Sequence, residues 1–287
     1  MFRKLRFVIL FVLSIATNIC SQSQLPADLD KYIEQVLKEF QVPGVSVAVI
    51  KDGETLLTKG YGTKELGKND PVDENTLFGI ASNSKAFTAT ALAILVDRGI
   101  LEWDKPVVNY IPWFQLSDHY ITRETTVRDL LVHRIGLDLG AGDLLWWPES
   151  EFSREDIVKR LKYLPFSSGF RSQYAYDNVL YIVAGVLIKE VTGFSWEDFV
   201  EKEIFQKLGM NRSKLRFADL LNSGNVSGTH AVIKGKIRKV APFLKDNANP
   251  AAGINATASD LAKWMRVQMD SGRVSSSERI FSPKTTE

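Results

Sequence analysis

The chain has 287 residues, enough for one large domain or two small ones, and its 45% hydrophobic and 24% charged residues are an ordinary globular mix. A formal charge of +2 gives no electrostatic reason for binding nucleic acid or an anionic membrane. Cys20 is the only cysteine, which excludes an intramolecular disulfide. The three histidines (His119, His133, His230) are scattered without metal-ligand spacing, so no metal site and no cofactor are expected.

Residues 1–23 read as a secretory signal. Arg3, Lys4 and Arg6 precede the apolar run Phe7 to Ala16, which is too short to span a bilayer, and small and polar residues around Ser21 and Ser23 follow. The mature chain is thus expected to be secreted or periplasmic, with no stable membrane span. The bulky Ile19 fits poorly with lipid attachment at Cys20. Removing the leader leaves 33 basic and 34 acidic residues, close to neutral.

From residue 24 on, the elements come in a clear order. Leu29, Ile33, Val36, Leu37 and Phe40 have helical spacing, and Pro43-Gly44 ends that helix. Gly44 to Lys51 alternates as a strand, Asp52-Gly53 is a hairpin turn, and Glu54 to Gly62 is the return strand. Phe78 to Lys85 reads as a short strand or turn running into a helix that ends near Asp97-Arg98-Gly99. Asp104 to Phe114 is loop with a short helix, and Thr126 to Val132 a second short helix. The Gly140-Ala141-Gly142 loop and Trp146-Trp147-Pro148 follow; these tryptophans either pack or wall an apolar pocket.

Ser153, with Asp156 three residues on, opens a helix to about Leu164. Ser167 to Asp177 is polar loop, and Asn178 to Val191 is strongly apolar helix. Ser195 opens another helix to about Leu208, Gly228 to Val240 is a second hairpin turning at Lys234-Gly235-Lys236, and Thr257 or Ser259 caps the last helix through Met269. Strands lie near the start and the middle is almost all helix, an α+β arrangement.

Two short motifs carry chemistry. Ser82 and Lys85 are three residues apart and share one helix face, so the lysine can activate a hydroxyl that is otherwise a poor nucleophile. A helix N-terminus there also favours a developing oxyanion. The alternative is a helix cap beside a solvated lysine. Tyr176-Asp177-Asn178 sits just before a buried helix: a phenol exchanges protons, and an amide holds a carbonyl or orients a lysine. Its alternative is a turn tyrosine and an N-cap asparagine.

In order, Ser82-Asn83-Ser84-Lys85, the phrase Leu130 to Leu137, Tyr176-Asp177-Asn178 and Pro250 to Asn255 followed by Ser259 to Trp264 resemble the serine β-lactamase and penicillin-binding superfamily, in its class C-like branch. The resemblance covers nearly all of 25–287. It implies a β-lactamase/transpeptidase-like fold, an antiparallel sheet flanked by helices with a mostly helical second lobe. It also implies Ser82 as the acylated nucleophile, Lys85 as its activator, Tyr176 as general base and acid, Asn178 as substrate-binding residue and the Ser82 N–H as one oxyanion donor. His133 is implied to be structural.

The family's third motif, Lys or His, then Thr, Ser or Gly, then Gly on a late strand, is absent: Lys284-Thr285-Thr286 lacks the glycine. The expectation is that 24–287 is the N-terminal part of such a domain, from a longer protein rather than a natural short form. Without the late strands, hairpin edges and one face of the first helix would be exposed and one oxyanion donor missing, leaving these residues unstable and nearly inactive by themselves.

The leading expectation is a serine hydrolase acting through an acyl-enzyme on a small ester, amide, β-lactam or D-amino-acid peptide. Its competitor is a penicillin-binding or sensor module that is acylated but does not turn over. A cell-wall transpeptidase, which needs an amine acceptor, is the third.

Overall fold

The computed structural model describes residues 25–285, so the expected leader over 1–23, with Cys20, lies outside the described residues. The helical spacing near the start forms α1 (Leu29–Glu39), and the alternating run forms β1 (Gly44–Lys51). β1 turns through Asp52-Gly53, at φ 52° and 80°, into the antiparallel strand β2 (Glu54–Gly62). Among the described residues this sheet has two strands, and α1, set against β2, buries none of its side chains.

The short strand β3 (Phe78–Gly79) leads through a 3₁₀ turn, Ala81–Asn83, into α2 (Ser84–Asp97). The helical lobe continues with α3 (His119–Glu124), α4 (Arg154–Arg160), α5 (Val179–Thr192), α6 (Trp196–Val200), a π-helical turn Glu201–Phe205, α7 (Gln206–Leu208) and α8 (Phe217–Leu221). A second hairpin, β4 (His230–Ile233) and β5 (Lys236–Lys239), precedes α9 (Asn249–Ala252), β6 (Asn255–Ala256) and α10 (Ala258–Met269), which packs across β1 and β2.

Caps explain several boundaries. The Ser153 hydroxyl and the Asp156 carboxylate cap one another's backbone N–H groups at α4, whereas at α6 the Ser195 hydroxyl accepts from the Asp198 N–H and from Arg216 Nη2. Thr257 rather than Ser259 caps α10, accepting from the Asp260 N–H at 3.1 Å. The helix expected over Thr126 to Val132 is a single 3₁₀ turn, Arg128–Leu130. There the Asp129 carboxylate accepts from the Thr126 N–H (2.8 Å) and hydroxyl (2.7 Å), and the positive φ of His133, 57°, stops the chain from continuing.

α2 and α5 form the centre. Every residue of α5 from Val179 to Ile188 is buried, as an all-apolar helix requires. Each fully buried leucine or isoleucine there contributes roughly 1.5–3 kcal/mol. Gly185 lets α9 approach: a Cβ at that position would stand 2.3 Å from Pro250 Cγ. Polar side chains on α2 then fix the segment. Thr88 donates to the Pro250 carbonyl at 2.7 Å while accepting from Trp196 Nε1 at 2.9 Å, and Ser84 Oγ accepts from the Ile254 N–H at 3.0 Å. β3 pairs with β6, and Ile80 donates to the Ile254 carbonyl at 2.9 Å. The segment before Ser82 and the segment 250–256 are therefore one rigid unit.

Candidate active site

Ser82 lies on the 3₁₀ turn, one residue after Ala81, which is held at φ 46°. A residue with a Cβ in that region is strained by about 1–2 kcal/mol, and the β3–β6 pairing on one side and buried α2 on the other hold it there. Ser82 is not the cap of α2, and its hydroxyl stands exposed at the turn.

Lys85, one turn on, is only 7% exposed, which removes the solvated-lysine alternative. Its Nζ lies 3.2 Å from Ser82 Oγ and donates to Asn178 Oδ1 at 2.8 Å and to the Ala251 carbonyl at 3.0 Å. The rings of Tyr176 and Tyr181 flank it, with centroids 4.8 and 5.2 Å away. Burial pushes the Lys85 amine below the ordinary lysine range, against an upward pull from Tyr176 and from the charge of Asp143.

Tyr176 donates from Oη to Ser82 Oγ at 2.8 Å. His133 supports it from behind: the two rings stack at 4.4 Å, and His133 Nδ1 accepts from the Asp177 N–H at 3.1 Å. Burial, then the nearby charge of Lys85, lowers the His133 pKa and favours the neutral ring that this acceptor role requires. Asn178 sits at the N-cap position of α5 but makes no side-chain cap bond. Its Nδ2 donates instead to both oxygens of Asp143, at 3.1 and 3.2 Å.

The structure thus brings together all four residues singled out in the sequence: Lys85 and Tyr176 meet the Ser82 hydroxyl, and Asn178 holds Lys85. Two contributors were not singled out in the sequence, and His133, implied there to be structural, takes a specific place. Asp143 follows the glycine loop with no local signal that ties it to Asn178, and the Ala251 carbonyl carries no side-chain signal. The stacking of His133 under Tyr176 is a long-range contact. Of the two tryptophans, Trp146 is half-buried and walls a cavity, whereas Trp147 is exposed. Among the described residues no group of three or more His, Cys, Asp or Glu is placed to hold a metal, and no single helix is long and apolar enough to cross a membrane.

A family model for beta-lactamase matches residues 29–285. The chain belongs to the beta-lactamase family. Among its relatives, the unguisins hydrolase of Aspergillus violaceofuscus is 32% identical over 265 residues, covering 86% of this chain and 45% of that protein. The octameric penicillin-binding protein homologue from Pyrococcus abyssi superposes with a TM-score of 0.77 at 25% identity, over 90% of this chain and 58% of that one. A class C beta-lactamase gives 0.70 at 27% identity, over 84% of this chain and 64% of that one. The beta-lactamase/transpeptidase-like fold expected from the motifs is therefore the fold observed. The chain spans about half the length of the curated relatives it matches.

Proposed function

We propose that this beta-lactamase-family chain is a serine hydrolase that acts through an acyl-enzyme at Ser82, on an ester, amide, β-lactam or D-amino-acid peptide. The observation that carries this reading is the approach of Tyr176 Oη (2.8 Å) and Lys85 Nζ (3.2 Å) to the same oxygen, Ser82 Oγ. A neutral lysine has two N–H donors and one lone pair. Asn178 Oδ1 and the Ala251 carbonyl take both donors, which leaves the lone pair for the Ser82 proton. Burial of Lys85 favours that neutral form.

In the first step Ser82 Oγ bonds to the substrate carbonyl carbon, and its proton passes to the Lys85–Tyr176 pair. The carbon–leaving-group bond then breaks as Tyr176 delivers that proton to the departing atom. In the second step a water oxygen bonds to the acyl carbon, the carbon–Oγ bond breaks, and the pair returns the water's proton to Oγ. The Ser82 N–H stabilises the oxyanion in both steps. The same reading includes export by the leader over 1–23, with the hydrolase working in the periplasm or outside the cell.

The test is turnover of 4-nitrophenyl acetate, a chromogenic cephalosporin and a D-alanyl-D-alanine peptide by the full chain. At least one is expected to be hydrolysed, with Ser82→Ala lowering the rate by about a thousandfold or more. A stable acyl adduct without turnover would make the chain a penicillin-binding or sensor module instead. Unchanged activity in Ser82→Ala would end the assignment.

A further inference from the structure

Next to the Ser82 turn lies a cavity of about 720 Å³ that no step above uses. Its near walls are parts of the site itself: Phe78–Gly79, just before the Ser82 turn, and Ala252–Asn255, which follow the carbonyl that holds Lys85. Further in, the wall is aromatic and aliphatic: Trp146, Phe217, Leu220, Val226 and Phe243. The rings of Trp146 and Phe243 meet edge to face at 6.0 Å.

Two observations define what fits. Apolar side chains on the lining are left uncovered, with Leu221 71% and Phe243 37% exposed. Of the charged residues on the lining, Lys64 pairs with Asp70 at 2.7 Å, Glu65 with Lys239 at 2.8 Å and Lys245 with Glu151 at 2.6 Å, and the Asp246 carboxylate accepts from the Phe217 N–H at 3.0 Å. A charged ligand group would compete with these partners, whereas an uncharged apolar group gains by covering the rings. The wall is also joined to the catalytic network. The Trp146 indole N–H donates to Asp143 Oδ1 at 3.1 Å, and Asp143 holds Asn178.

Resting on the serine-hydrolase reading, we propose that this cavity takes a bulky, uncharged apolar group, aryl or long aliphatic, carried by the substrate beside its scissile bond, and that Trp146 and Phe243 set that preference. The substrate class is then an apolar ester or amide, or a peptide with a large apolar side chain.

The test compares kcat/KM of the full chain in two pairs: 4-nitrophenyl 4-phenylbutyrate against 4-nitrophenyl acetate, and 4-phenylbutyl acetate against ethyl acetate. The bulky member is expected to win by about tenfold or more in at least one pair. Phe243→Glu, on a partly exposed irregular stretch, is expected to bring that ratio close to one, with Phe243→Ala intermediate. Equal rates within both pairs, or a preference that both variants leave intact, would overturn the proposal. Failure of the hydrolase reading looks different: no ester is turned over and no adduct forms at Ser82. In that case calorimetric binding of the uncharged 4-phenylbutanamide decides the cavity, supporting it if Phe243→Glu abolishes binding and overturning it if wild type does not bind.

Discussion

Asp143 holds the carboxamide of Asn178 through both carboxylate oxygens, 3.1 and 3.2 Å from Nδ2, and so decides which end of that amide meets Lys85. A carboxylate only accepts, so the NH₂ group must face it and Oδ1 must face the lysine. Asp143→Ala frees the amide to rotate and present N–H groups to Lys85. Acylation at Ser82 is expected to slow by about ten- to a hundredfold, from roughly 1–3 kcal/mol of lost hydrogen bonding. A positioning role is distinguished by the pH–rate profile, which is expected to shift along with the rate because Asp143 also acts on the charge of Lys85.

Lys85 itself is tested by Lys85→Arg. A guanidinium keeps the positive charge but has no accessible lone pair, so it cannot take the Ser82 proton. Acylation is expected to fall by about a thousandfold, within the range that general-base catalysis supplies. In wild type the rate is expected to rise with pH and level off below 10.5, the ordinary lysine value, because burial lowers the Lys85 pKa. A pre-steady-state burst measured across pH in both proteins checks this.

Gly185 controls the Ala251 carbonyl from beneath. Alanine there favours a helix by about 1 kcal/mol, but its Cβ would stand 2.3 Å from Pro250 Cγ in a close-packed interface. Overpacking wins, and Gly185→Ala is expected to lose about 1–3 kcal/mol in urea melts. It is also expected to slow acylation, since displacing Pro250 moves the acceptor for Lys85 Nζ.

Asp177 is fully buried, and neither carboxylate oxygen has a hydrogen-bond partner. Burial, then the charges of Asp143 and Asp138, raises its pKa from 3.8 to about 7. The folded state therefore holds this proton more tightly than the unfolded chain, and stability is lost as pH rises from 3.8 to about 7. Asp177→Asn removes that loss. The variant is expected to be more stable than wild type above pH 7, by up to roughly 4 kcal/mol, with the gain shrinking steadily toward pH 4. Chemical melts at pH 5 and pH 8 give the comparison.

Local signals carried much of this into the sequence. The Asp52-Gly53 and Lys234-Gly235 turns, the capped α4 and the unbroken apolar run of α5 each announce themselves within a dozen residues. Ser82 and Lys85 were legible because a helix places residues three apart on one face. Tyr176 and Asn178 were legible through the resemblance, since nothing local links them to Ser82. The Ala251 carbonyl, the Asp143 clamp and the His133 platform depend on tertiary packing between distant segments. The 3₁₀ turn at Arg128–Leu130 was missed because Asp129 is drawn to Thr126 and Arg171, a preference that helical propensity does not contain.

The most direct measurement is intact-protein mass after brief exposure of the full chain to an activated ester and to a β-lactam. Wild type is expected to gain the mass of one acyl group, located at Ser82 by peptide mapping, while Ser82→Ala gains none. An adduct of equal yield in Ser82→Ala, or an unmodified wild-type Ser82 under both reagents, would contradict the acyl-enzyme assignment.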